Sequence, residues 1–217
     1  MRLPYLSPSW LGSTATEQNR GTAVPKRRAL SIPTRAALRA EPVRTERTRL
    51  TPIDAADGPE LWEVIESSRT HLERWLPWVP FNNTPEASRR YANACASDWD
   101  AGRAVRFGIR DLESDALLGV VGLDSCVHLH LSCELGYWLR EDAAGRGIMT
   151  EAAGACVRFA FARVGVHRIR CAAATGNQAS LSVITRLGFK PEGIARQAEF
   201  VSSRWVDHAV FSKLSTD

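Results

Sequence analysis

The most constraining feature of this chain lies between residues 134 and 153: Glu134-Leu-Gly-Tyr-Trp-Leu-Arg-Glu-Asp-Ala-Ala-Gly-Arg-Gly-Ile-Met-Thr-Glu-Ala-Ala153. An apolar strand-like run enters a short turn bearing Gly145 and Gly147, and a helical pattern starts at once. A helix start leaves up to four backbone N–H groups without an intrahelical partner. The macrodipole adds roughly half a positive charge at that end. Gly145 and Gly147 carry no side chain to hold an anion away, and both tolerate positive φ. Arg146 adds a formal charge and Thr150 a hydroxyl. The segment suits a phosphate-bearing ligand, although an ordinary strand-to-helix turn has the same outline. No Gly-Lys-Ser/Thr follows, so it is not a Walker loop, and the G-x-G-x-x-G dinucleotide fingerprint is absent.

The rest of the chain places this turn in a fold. After it, two apolar ridges run to about Val164, one through Ile148, Ala152, Cys156 and Phe159, the other through Met149, Ala153, Val157 and Phe161. A helix with two such ridges must be covered on more than one side. Upstream, Thr48–Ile53 alternates like a strand, with Pro52 at its end or edge. Asp54–Ser68 and Pro85–Gly102 read as helices. Ala104–Arg110, Ala116–Cys126 and Leu131–Leu139 read as strands joined by antiparallel turns. Downstream come a strand at His167–Ala174, a helix at Asn177–Leu187 stopped by Gly188, and a closing strand at Arg204–Leu214. This order predicts an α+β fold, a sheet flanked by helices, rather than a doubly wound one.

Charge divides the chain. Residues 1–45 carry eight Lys/Arg against Glu17 and Glu41, a balance of +6, while the whole chain is only +4. The remainder is therefore slightly acidic, which argues against a nucleic-acid-binding face on the domain. Residues 1–43 lack a sustained period and are rich in Pro, Ser, Thr and Arg. They read as a disordered basic tail or as the product of a misassigned start, with order beginning at Arg44; contact of the tail with RNA or a membrane surface is a further reading. No run of eighteen apolar residues marks a membrane span, and no continuous apolar stretch marks a signal peptide. The five cysteines are odd in number and form no C-x-x-C pair. They read as small buried hydrophobes in a reducing compartment, the cytoplasm, rather than as disulfides or zinc ligands. His130 with Glu134 is too little for a metal site.

Several words of the sequence together resemble the GNAT acetyltransferases, and most closely their RimJ/RimL branch of ribosomal-protein N-terminal acetyltransferases. They are His71-Leu-Glu-Arg-Trp-Leu-Pro-Trp78, Glu134-Leu-Gly-Tyr-Trp-Leu139, Gly145-Arg-Gly-Ile-Met-Thr-Glu-Ala152, His167-Arg-Ile169, Asn177-x-x-Ser180, Arg186-Leu-Gly-Phe189, Glu192-Gly193 and Arg204-Trp-Val-Asp207. The resemblance spans about Arg47 to Leu214, so residues 44–217 are expected to form one GNAT domain. Two departures stand out. The superfamily's Q/R-x-x-G-x-G/A motif falls on Ala144 to Met149 and keeps only Gly147 of its three defining positions, so Ala144 loses a side-chain phosphate contact. The branch's usual Asn-Gly in the last hairpin is Ser202-Ser203.

The resemblance implies a mostly antiparallel mixed sheet, splayed near the strand ending at Leu139. It implies direct transfer of acetyl from acetyl-coenzyme A to a primary amine, with no metal. Gly145, Arg146, Gly147, Ile148, Met149 and Thr150 would hold the diphosphate. Tyr137, Trp138 and Leu139 would pair with the pantetheine arm, and Asn177 would contact that arm or order its loop. Ser180 would protonate the leaving sulfur, and Glu134 would be a base working through water. Trp75, Trp78 and Phe81 would wall the acceptor. Plainer readings stay open: Asn177 as a helix cap, Ser180 as a first-turn serine, Glu134 as a solvent-facing strand residue, and the aromatics as cover for the core. The acceptor is expected to be a protein or peptide α-amine; a polyamine or antibiotic amine, or a non-catalytic acetyl-coenzyme A sensor, are the alternatives. A homodimer is compatible with the resemblance.

Overall fold

The computed structural model describes residues 29–217. Eight strands make one sheet: β1 (Val43–Arg44), β2 (Thr48–Pro52), β3 (Val105–Asp111), β4 (Leu117–Val127), β5 (Ser132–Leu139), β6 (Arg168–Ala174), β7 (Lys190–Val201) and β8 (Arg204–Leu214). Their order is β1-β2-β3-β4-β5-β6-β8-β7. Every pairing is antiparallel except β5 with β6. The helices are α1 (Arg35–Ala40), α2 (Gly58–Ser67), α3 (Arg69–Glu73), α4 (Pro85–Asp100), α5 (Ile148–Phe159, continued by a π turn at Ala160–Val164) and α6 (Gln178–Arg186).

The parallel pair is the joint on which the site depends. β5 meets β6 only at Ser132↔Arg168, Cys133↔Ile169 and Glu134↔Arg170. Beyond Glu134 the strands diverge while β5 runs on to Leu139, still paired with β4 on its other side. The stretch 135–139 therefore turns an unpaired backbone edge toward the gap, at the position where the sheet is expected to splay. On the β4 side the backbones approach so closely that a Cβ on Gly119 would lie 2.2 Å from the Trp138 carbonyl oxygen. Only glycine fits there.

Each face of the sheet has its own core. On one, α5 packs against Leu50, Phe107, Ile109, Val121, Leu123 and Leu135. Phe107 stands edge-on to Trp99 at 5.0 Å and to Phe159 at 5.4 Å, the favoured geometry for aromatic pairs. Ile148, Met149, Ala152, Ala153, Cys156, Val157 and Phe159 are all buried, so both ridges of α5 are covered. On the other face α2 and α4 bury Leu61, Ile65, Ala92 and Cys95 against Leu117, Val120 and Trp138. Every cysteine is a free thiol. Burial pushes the thiols of Cys156 and Cys171 up to about 12 and that of Cys126 to about 11, so they pack as neutral hydrophobes.

The structure corrects the reading of a tail for residues 29–43. Residues 1–28 lie outside the described residues, but 29–43 are ordered. Thr34 caps α1 by accepting the Ala37 N–H. Leu30 and Leu38 are buried in the α5-side core, the Trp99 indole N–H donates to the Pro33 carbonyl, and Arg35 pairs with Asp100 at 2.7 Å. A six-residue helix is too short to show a period, and its anchors are residues far along the chain.

Candidate active site

A groove of about 400 Å³ follows the divergence of β5 and β6, bounded by the start of α5, the first turns of α6 and the residues around α3. At its α5 end the chain turns through Gly145 and Gly147, with φ of 76° and 79°, values that L side chains adopt at a cost. Gly147 is the N-cap and provides no capping side chain. As a result the backbone N–H groups of residues 145–150 have no acceptor among the described residues. Unpaired amides at the positive end of a three-turn helix can hold a diphosphate. Gly145, Gly147, Ile148, Met149 and Thr150 line the groove; the Arg146 side chain is exposed outside it.

Along the floor, Tyr137, Trp138 and Leu139 present the unpaired edge of β5. The Tyr137 hydroxyl lies 3.0 Å from Ser180 Oγ and donates toward the Ser180 carbonyl at 3.3 Å. Asn177 Oδ1 accepts the Ser180 N–H at 3.1 Å, capping α6. The sheet thus supplies Tyr137, the helix start supplies Ser180, and Asn177 fixes that start. Burial drives the Tyr137 hydroxyl far above its ordinary value, so it stays protonated. Each hydroxyl carries one proton. When Tyr137 donates to Oγ, the serine proton is left for a third group.

The α3 side is lined by His71, Leu72, Trp75 and Leu76. The Trp75 ring lies 3.7 Å from where a Cβ on Gly176 would stand, and the Arg74 guanidinium sits 5.0 Å from its centroid. Of the three aromatics expected on the acceptor wall, only Trp75 is in the groove. Trp78 stacks on Tyr91 and tilts onto Trp138 in the α2/α4 core. Phe81 is 81% exposed and away from the groove. Proline-broken aromatic segments do not reveal which ring faces inward. Glu134 does not line the groove either: it accepts from Arg170 Nη1 at 3.0 Å, at the last paired position before the splay.

Other residues of the site had weaker signals in the sequence. Ala179, Ser182, Val183 and Arg186 line the groove from one face of α6, a 3–4–7 spacing legible once that helix is drawn. Arg47, just before β2, had none. Its backbone N–H donates to Glu151 Oε1 at 2.8 Å, its Nε to Glu151 Oε2 at 2.8 Å, and its Nη1 to the Arg146 carbonyl at 2.9 Å. Partial burial pushes the Glu151 carboxyl up, but hydrogen bonds from Thr45 and from the Arg47 backbone and guanidinium outweigh it and hold its pKa below the usual value.

Comparison with known proteins agrees with this geometry. Residues 47–190 match the acetyltransferase (GNAT) domain family. The chain is 30% identical over 171 residues to the [ribosomal protein uS5]-alanine N-acetyltransferase of Escherichia coli, covering 73% of this chain and 84% of that protein. It is also 30% identical over 157 residues to the ribosomal-protein-serine acetyltransferase of Escherichia coli, covering 71% and 85%. Among solved structures, the ribosomal-protein-S5-alanine acetyltransferase of Vibrio fischeri superposes with a TM-score of 0.75 at 25% identity, covering 80% of this chain and 96% of that one. RimL, solved with coenzyme A, superposes with a TM-score of 0.77 at 23% identity, covering 82% and 100%, which bears on the fold. The splayed sheet, the glycine-led helix start and these similarities lead to one conclusion: the chain belongs to the GNAT acetyltransferase family and is an acetyl-coenzyme A-dependent N-acetyltransferase.

Proposed function

We propose that this enzyme acetylates the N-terminal α-amine of a protein or peptide. The observation that carries the reading is that, among the described residues, no Asp or Glu lines the groove; the ionisable ones there are His71, Tyr137 and Arg186. Without a carboxylate in the groove to strip a proton, the reaction draws on the fraction of acceptor that is already neutral. An α-amine with a pKa of about 7.7–8.0 is roughly a quarter neutral near pH 7.4, and a lysine at about 10.4 is only ~0.1% neutral. The difference favours the α-amine by about two orders of magnitude. The relatives named as a ribosomal-protein-serine acetyltransferase and a ribosomal protein uS5-alanine N-acetyltransferase support a protein acceptor, and five free thiols suit a reducing, cytoplasmic setting.

In this reading the amides of residues 145–150 hold the diphosphate, and the pantetheine arm lies along the open edge of β5 at residues 137–139, with Asn177 ordering the adjoining turn. The amine nitrogen forms a bond to the thioester carbonyl carbon as the C–S bond breaks. Ser180 passes its proton to the departing sulfur and is reprotonated, through solvent, by the proton the nitrogen sheds. Trp75 walls the acceptor. Glu134 is paired with Arg170 outside the groove and takes no proton in this reading. The test is thiol release across peptides beginning with Ala or Ser, the same peptides blocked at the N-terminus but carrying lysine, polyamines and aminoglycosides. Turnover is expected on free α-amines alone; efficient turnover of blocked lysine peptides or of the small amines would overturn the assignment.

A further inference from the structure

We propose that Arg47 is a positioning residue that sets the diphosphate-binding conformation of the Gly145–Gly147 turn, an inference that rests on the reading of this turn as the diphosphate site. The argument is geometric. Arg47 Nη1 donates to the Arg146 carbonyl at 2.9 Å. A trans peptide unit is planar, with its C=O and N–H pointing opposite ways. Holding the Arg146 carbonyl toward Arg47 therefore turns the Gly147 N–H away from it, and Gly147 lines the groove. Gly147, whose φ of 79° adjoins this peptide, leaves it free to flip, so something must fix its plane. Nothing within the turn does: Gly147 has no capping side chain, and Ala144, where the superfamily places a Gln or Arg, cannot.

Arg47 is itself held. Its backbone N–H and its Nε grip the two oxygens of Glu151, with Nη2 2.7 Å from Oε2. Glu151 is on the first turn of α5, so the same pair ties the β1–β2 turn to the helix whose end receives the anion. Neutralisation is the second consequence. A lone carboxylate there would repel a diphosphate, and the guanidinium cancels it. Arg47 Nη2 lies 3.5 Å from where a Cβ on Gly147 would stand, so the cation is immediately behind the turn.

The test compares acetyl-coenzyme A with S-acetylpantetheine, which has the same thioester and arm but no phosphates. Wild-type enzyme is expected to prefer acetyl-coenzyme A in kcat/KM by at least about 100-fold, consistent with several charge-assisted hydrogen bonds. If it shows no preference, the diphosphate reading itself is wrong. With that preference established, Arg47→Ala should raise the KM for acetyl-coenzyme A about 10- to 30-fold at nearly unchanged kcat, and leave kcat/KM for S-acetylpantetheine within about twofold. Arg47→Lys should not restore the KM, because a point charge cannot grip Glu151 and the Arg146 carbonyl together. Equal losses on both donors in either variant would mean a general structural role, and an unchanged KM in the Arg47→Ala enzyme would mean no role; each outcome overturns the proposal.

Discussion

Replacing Ser180 by alanine separates chemistry from binding. Its Oγ is 3.0 Å from the Tyr137 hydroxyl, and its other hydrogen bonds, the N–H to Asn177 and the carbonyl to Tyr137, belong to the backbone and survive the change. The helix cap and the groove therefore stay in place, and what is lost is one proton donor. General acid catalysis contributes about 10²- to 10⁴-fold, or about 2.7–5.5 kcal/mol of barrier. Ser180→Ala is expected to lower kcat at least about 100-fold near pH 7 while acetyl-coenzyme A affinity, read by calorimetry, moves by no more than about threefold. The sulfur that leaves is a thiol resembling cysteine, with a pKa of about 8.5. Above roughly pH 9 it departs unprotonated, so the deficit should narrow there. Tyr137→Phe removes the partner that orients Oγ but not the donor, and should cost about tenfold. Turnover of Ser180→Ala within threefold of wild type, or a deficit independent of pH, would refute the assignment.

Other consequences are as direct. Leu38 is fully buried against the α5-side core, so Leu38→Ala should cost about 2–5 kcal/mol in urea denaturation, and removal of residues 1–43 should destabilise the domain; a change below 1 kcal/mol would show α1 to be dispensable. Ser202 and Ser203 hold φ of 48° and 63° at the β7–β8 turn, where Asn-Gly is the favoured pair. Ser203→Gly should therefore stabilise by about 0.5–1 kcal/mol, seen as a Tm rise of about 1–4 °C, and a fall in Tm would contradict the strain. The Glu151 carboxyl is held below its ordinary value. Its contribution to stability is complete above the unfolded pKa and is lost as pH falls through the lower folded one. Denaturation curves taken from about pH 6 down to pH 3 should show an acid component that Glu151→Gln lacks, and matching curves would dismiss it.

What was legible in the sequence follows physical range. The strand entering Leu139, the glycine turn and the doubly ridged α5 were readable because each is a local pattern with its own period or stop signal. Asn177 and Ser180 were readable because a cap sits at a fixed offset from the helix it starts. The facing of Trp75, Trp78 and Phe81 was not, since helical breaks at Pro77 and Pro80 remove the period that would assign a side. Glu134 was placed on the correct strand, but its pairing with Arg170 depends on where two strands part company, a distance of 36 residues in the chain. Leu30, Leu38 and Arg47 act through contacts about as long or longer, and short segments with distant partners leave no mark on local composition.

Parting β5 from β6 places hungry backbone amides in the interior of the sheet instead of at its rim. A rim strand invites any neighbouring protein to add on. Here residues of α5 and α6 line the slit, so the unpaired edge is flanked by helices of the same domain. The fold thereby opens its sheet for pairing without the risk of self-association that an open margin would carry.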